Sequence, residues 1–132
     1  MSQHNVDFVL DAYARYNAGE RKPELWYYHE DAEYHVSQAD PDSAVHRGID
    51  AITRQYERWE ESYPDLRVEP LDATDCGDQV LVWVRFVGHG AASGLPMDME
   101  LAHVVTLQDG RVRRVEEYMD RAQAVKAVGP EA

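Results

Sequence analysis

The sequence predicts an α+β domain in which helices come first and a long antiparallel meander follows, and three observations carry that prediction. Apolar residues recur at helical spacing in two stretches of the first half. Four alternating strand patterns fill the second half. Between the last two of them sits Asp109-Gly110, the pair that suits a two-residue hairpin, because glycine tolerates the positive φ such a turn needs.

Taken in order, Asn5 or a neighbour can cap a first helix whose positions Val6, Val9, Leu10, Tyr13, Tyr16 and Asn17 follow helical spacing and which ends at Gly19. A short second helix is predicted over residues 23–29, opening on Pro23, where a missing N–H costs nothing. A strand over 32–37 and a breaker-rich loop through Asp40-Pro41-Asp42-Ser43 to Gly48 come next. The third helix, 49–63, carries Ile52, Tyr56, Trp59 and Tyr63 at steps of three and four, and stops before Pro64. Strands are predicted at 66–74, 79–88, 96–107 and 111–119, separated by Cys76-Gly77-Asp78, the loop 90–95 and Asp109-Gly110. Asp120 caps a last short helix, with Gln123 three residues on.

The hairpin around Asp109-Gly110 holds the candidate chemistry. On its first arm the odd positions Met97, Met99, Leu101, His103, Val105 and Leu107 read as the buried face, so His103 points inward. On its second arm Val115, Glu117 and Met119 share one parity and Arg114, Glu116 and Tyr118 the other. Apolar content favours the first set and turns Glu117 inward, whereas a bulge would bring Glu116 there instead.

Composition narrows the classes. With 132 residues the chain suits a single domain, 1–132. The start has neither the basic flank nor the apolar core of a signal peptide, and no apolar run reaches membrane-spanning length, so a cytoplasmic protein with no membrane partner is expected. The single cysteine, Cys76, allows no internal disulfide. A formal charge of −12 argues against nucleic acid, whose phosphates need a cationic surface. The histidines lack the close spacings of a metal site, so no metal and no cofactor is expected. Arg85, inside the otherwise apolar run 80–87, must find a partner as an ion pair or serve as a clamp for an anion or carbonyl. Tyr13, Tyr16, Trp26, Tyr34, Trp59, Trp83 and Met99 are candidate pocket residues as well as candidate core.

The element order, with 12–20 (AYARYNAGE), 29–34 (HEDAEY), Arg47-Gly48, Trp59, 103–107 (HVVTL) and 109–112 (DGRV), resembles the nuclear-transport-factor-2-like superfamily, and within it the SnoaL-like group of small polyketide cyclases. The resemblance implies a cone: three N-terminal helices packed on a strongly curved, mixed, mostly antiparallel sheet, with an apolar pocket open at one end. It implies a small apolar or aromatic ligand and a homodimer formed through the outer sheet face. It also implies that His103 and Glu117, near the places where the cyclases carry a histidine and an aspartate, are the catalytic pair of a cofactor-free cyclase, isomerase or hydratase. Tyr13, Tyr16, Trp26, Tyr34, Trp59, Trp83, Arg85 and Met99 are then the ligand-binding set. The first-strand aspartate of ketosteroid isomerase falls at about Val36, which cannot move a proton. The same residues admit a non-catalytic ligand-binding or dimerisation module, with His103 bonded inside the core and Glu117 paired to Arg85 or Arg114.

Overall fold

The computed structural model describes residues 2–20, 27–37 and 44–128, and within them three helices and one six-stranded sheet. Helix α1, Ser2–Asn17, begins before Asn5, so Asn5 is not its cap; the Asn5 amide donates instead to the carbonyl of Gly77 at 3.1 Å. Its C-terminus closes as expected at Gly19. With φ at +96°, this glycine lets its own N–H reach Tyr16 and the N–H of Glu20 reach Arg15, which satisfies two carbonyls the helix leaves free.

The predicted second helix lies mostly outside the described residues, as does Trp26. Its last two residues, Tyr28 and His29, belong to strand β1, Tyr28–His35, because Tyr28 pairs with Val112 and buries its ring in the core. Strand β2, Val45–Arg47, falls where the sequence predicts a loop, since three residues are too few to show alternation. Helix α2, Ile49–Ser62, presents Ile52, Tyr56 and Trp59 to the core. The strands of the meander are β3 (Arg67–Cys76), β4 (Gln79–His89), β5 (Pro96–Gln108) and β6 (Arg111–Tyr118). Helix α3, Arg121–Ala127, is capped by the Asp120 carboxylate, which accepts from the N–H of Ala122 at 2.9 Å.

The sheet order is β2-β1-β6-β5-β4-β3. All neighbours are antiparallel except β1 and β6, which run parallel, so a strand from the beginning of the chain lies beside one from its end. Asp109 and Gly110, with φ of 55° and 75°, form the predicted turn. Thr106 faces Arg114 and Leu107 faces Val112, so Arg113 is an extra residue bulged out of the ladder. The bulge lets Val112 and Val115 both point inward despite opposite parity, and it restores the register in which His103 faces Glu117.

The sheet buries both faces. Val80, Val82, Val84, Phe86, Leu101 and Val105 face α1 and α2 in the main core. On the other side α3 lays Ala124 against Ala102 and Val104, with Leu81, Trp83 and Tyr118 around them. The C-terminal helix therefore covers the opposite face from α1 and α2, which is why β5 is buried at consecutive positions 101–105. Asn17 ties α1 to the edge strand: its amide donates to the carbonyl of Val68, and its oxygen accepts from the N–H of Val68, both at 2.9 Å.

Candidate functional site

Four elements converge on one point inside the sheet. Register places Glu117 of β6 directly opposite His103 of β5, and both side chains are enclosed, 5% and 4% exposed. His103 Nε2 lies 3.1 Å from Glu117 Oε2. The parallel pairing of β1 with β6 brings Tyr34 beside them, and its hydroxyl donates to the same carboxylate oxygen at 2.6 Å and lies 3.3 Å from His103 Nε2. The N–H of Ser37, just past β1, donates to Oε1 at 3.3 Å. Helix α1 contributes Tyr13, whose hydroxyl meets His103 Nδ1 at 2.7 Å.

These contacts fix the directions of the hydrogen bonds. Glu117 is surrounded by donors on both oxygens, the setting of an ionised carboxylate, so Nε2 of His103 carries a proton and donates it. Nδ1 of a neutral imidazole is then an acceptor, and the Tyr13 hydroxyl donates to it. The chain runs from Tyr13 to His103 to Glu117, with the histidine's tautomer set by the carboxylate. A hydroxyl, an imidazole and a carboxylate in line can pass a proton along and hold a transient imidazolium.

The surrounding wall is aromatic. A cavity of about 70 Å³ is lined by Tyr13, Tyr16, Tyr27, Tyr28, Tyr34, Tyr56, Trp59, Phe86 and His103, the rest being aliphatic. The Tyr28 and Tyr56 hydroxyls share a 2.5 Å hydrogen bond, and the Tyr16 hydroxyl donates to Glu60 at 2.9 Å. Burial pushes the phenols of Tyr13, Tyr34 and Tyr56 well above their ordinary value, with the charge of Glu117 adding to the rise at each. Tyr28 is raised for the same first reason. These hydroxyls are neutral donors throughout the physiological range.

Of the predicted residues, the structure brings His103, Tyr13, Tyr16, Tyr34 and Trp59 to this cavity. Glu117 does not line it and stands behind His103, facing a polar groove between the end of β1, β6 and α3. Glu116 points the other way, accepting from the Tyr118 hydroxyl. Trp83 and Arg85 correct the expectation, because their parity on β4 puts them on the opposite face from Val82, Val84 and Phe86. Trp83 donates to Glu100 at 2.7 Å beneath the guanidinium of Arg121, and Arg85 forms a two-pronged pair with Asp98 at 2.8 and 2.5 Å. Met99 shares the inward parity but lies toward the end of the strand, 38% exposed and outside the cavity wall.

Tyr27, Tyr28, Tyr56 and Phe86 were missed as cavity residues. Tyr56 was visible on the aromatic face of its helix. Tyr28 fell in the wrong element, and only the β1–β6 pairing reveals where its ring points. Among the described residues no three His, Cys, Asp or Glu side chains cluster as metal ligands, and no helix is long and apolar enough to cross a membrane.

Residues 9–115 match the family model of the SnoaL-like domain. Among solved structures, one assigned as a SnoaL-like polyketide cyclase from Jannaschia sp. CCS1 is 22% identical, with 98% of this chain and 94% of that one covered and a TM-score of 0.77. TerC, co-crystallised with polyporic acid, is 20% identical over 94% and 97% of the two chains, with a TM-score of 0.74. A protein of ketosteroid isomerase-like fold from Catenulispora acidiphila DSM 44928, in complex with trimethylamine, is 19% identical over 74% of each chain, with a TM-score of 0.65. At these identities the neighbours share the fold. Comparison with curated protein sequences finds no match.

Proposed function

This chain belongs to the SnoaL-like domain family, and from that premise we propose that it binds a small apolar or aromatic molecule in the inner cavity and moves a proton on it. The observation that supports this reading is the Tyr13–His103–Glu117 chain, which opens onto an otherwise apolar cavity at His103 and Tyr13. His103 is the acid or base that touches the ligand, and Glu117 holds its tautomer and charge. A cofactor-free cyclisation, isomerisation or hydration is the kind of reaction such a set can serve. The neighbours hold an acid in one case and an amine in another, so the fold alone leaves the ligand open.

Ala12 gives a direct test, since it lines the cavity from α1 with a side chain too small to fill it. Phenol, a neutral ring, is expected to bind in calorimetric titration, and Ala12→Phe to abolish that binding while keeping the far-ultraviolet circular dichroism of the parent. Unchanged phenol affinity in the variant would show that the ring sits elsewhere.

The proposal includes a cytoplasmic location and a homodimer built on the outer sheet face. Leu71, displaced by a bulge in β3, and Val125 on α3 leave apolar side chains 50% and 44% exposed on the molecule. Light scattering at micromolar concentration is expected to give twice the 15.1 kDa chain mass, and a monodisperse monomer would remove the dimer from the proposal.

A further inference from the structure

The walls of the inner cavity carry an electrostatic sign. The rings of Tyr34, Trp59, Phe86 and His103 follow one another in a closed circuit. Successive centroids are 5.6, 6.2, 5.8 and 6.2 Å apart, and successive planes meet at 67°, 80°, 81° and 83°. All four rings line the same cavity. A flat square with such sides has its middle about 4 Å from each corner, within the ~6 Å over which a ring's face holds a cation. Near-perpendicular rings around one space are the arrangement by which aromatic cages bind quaternary ammonium groups.

Charge points the same way. No lysine or arginine is among the lining residues, while the Glu117 carboxylate stands 3.1 Å behind the His103 ring. Its negative field reaches the walls, where it contributes to the raised phenols of Tyr13, Tyr34 and Tyr56. A field that resists a phenolate on those walls favours a cation between them and disfavours a carboxylate or phosphate ligand. The overall charge of −12 raises the local concentration of cations in the same sense.

We infer that the inner cavity takes a small organic cation bearing a methylated ammonium group, its methyls against the Tyr34, Trp59, Phe86 and His103 rings and its charge drawn toward Glu117. The inference rests on reading this cavity as the ligand site and adds the ligand's charge. A methylated ammonium presents apolar surface to apolar walls, so burial and charge act together, and a neutral molecule of the same shape gains only the first.

Calorimetric titration of the full chain with choline and with 3,3-dimethylbutan-1-ol, its uncharged isostere, separates the two contributions, with phenol as the neutral ring. Choline is expected to bind at least about tenfold more tightly than the isostere. Glu117→Gln is expected to remove most of that advantage and leave the isostere's affinity in place, and Trp59→Leu to weaken choline more than the isostere. Choline binding no better than the isostere overturns the inference. If phenol or the isostere then still binds and Ala12→Phe abolishes it, the cavity remains the ligand site and only the charge assignment falls. If none of the three probes binds, both readings fall together.

Discussion

Glu117→Ala is expected to destabilise the protein by about 3–5 kcal/mol, because it orphans the Tyr34 hydroxyl, the Ser37 N–H and the His103 Nε2–H in one enclosed place, each such loss costing about 1–3 kcal/mol. Against a total stability of roughly 5–15 kcal/mol that is a large fraction. Glu117→Gln keeps the size and one acceptor oxygen but sets an amide N–H₂ among donors, so about 1–2 kcal/mol is expected. Urea melts followed by circular dichroism measure both. Once a substrate is in hand, the glutamine variant should lose turnover by about 10²-fold, since the imidazolium formed on His103 loses its counter-charge. If the variant turns over as well as the parent, the His103–Glu117 pair is a structural one and the catalytic assignment falls.

The second large effect concerns alkaline pH. Tyr13, Tyr28, Tyr34 and Tyr56 all have folded-state values raised chiefly by burial. In the unfolded chain they ionise near pH 10, while the folded protein keeps the protons. Their contribution is therefore fully present below pH 10. Above it the unfolded state binds fewer protons than the folded state, and stability falls by up to about 1.4 kcal/mol per pH unit for each phenol, about 5 kcal/mol per unit for the four. The expected result is a steep, cooperative alkaline melt, in which the absorbance of these phenolates at 295 nm rises together with loss of near-ultraviolet circular dichroism. Smooth ionisation of all eight tyrosines near pH 10 with the fold intact would contradict it.

Much of the site was legible because it sits on one hairpin. Asp109-Gly110 fixed the turn, alternation fixed the inward parity of His103, and apolar content chose Glu117 over Glu116. Counted straight from the turn, His103 would face Glu116; the extra residue Arg113 shifts the register by one so that Glu117 faces it, in agreement with the apolar parity of Val115. What sequence pattern could not supply is any contact between distant strands. Nothing local says that β1 runs parallel beside β6, so the roles of Tyr34, Tyr28 and the Ser37 N–H stayed hidden. Trp83 and Arg85 were misplaced for a different reason: with both faces of the sheet buried, apolar and large residues occur on each parity, and size no longer reports which face holds the cavity.

The parallel pairing of β1 with β6 also dictates when the site comes into being. The β3–β4–β5–β6 meander is made of hairpins whose partners are close in sequence, whereas Tyr34 must meet Val115 across some eighty intervening residues. Pairings of that separation carry the larger loop-closure entropy and tend to form late. His103 and Glu117 can face each other in a half-made sheet, but the carboxylate acquires its Tyr34 and Ser37 donors only when β1 docks. Tyr28 and Tyr34 join the cavity wall at the same step, so a ligand meets the complete wall only on the chain with β1 docked, and its binding energy favours that state.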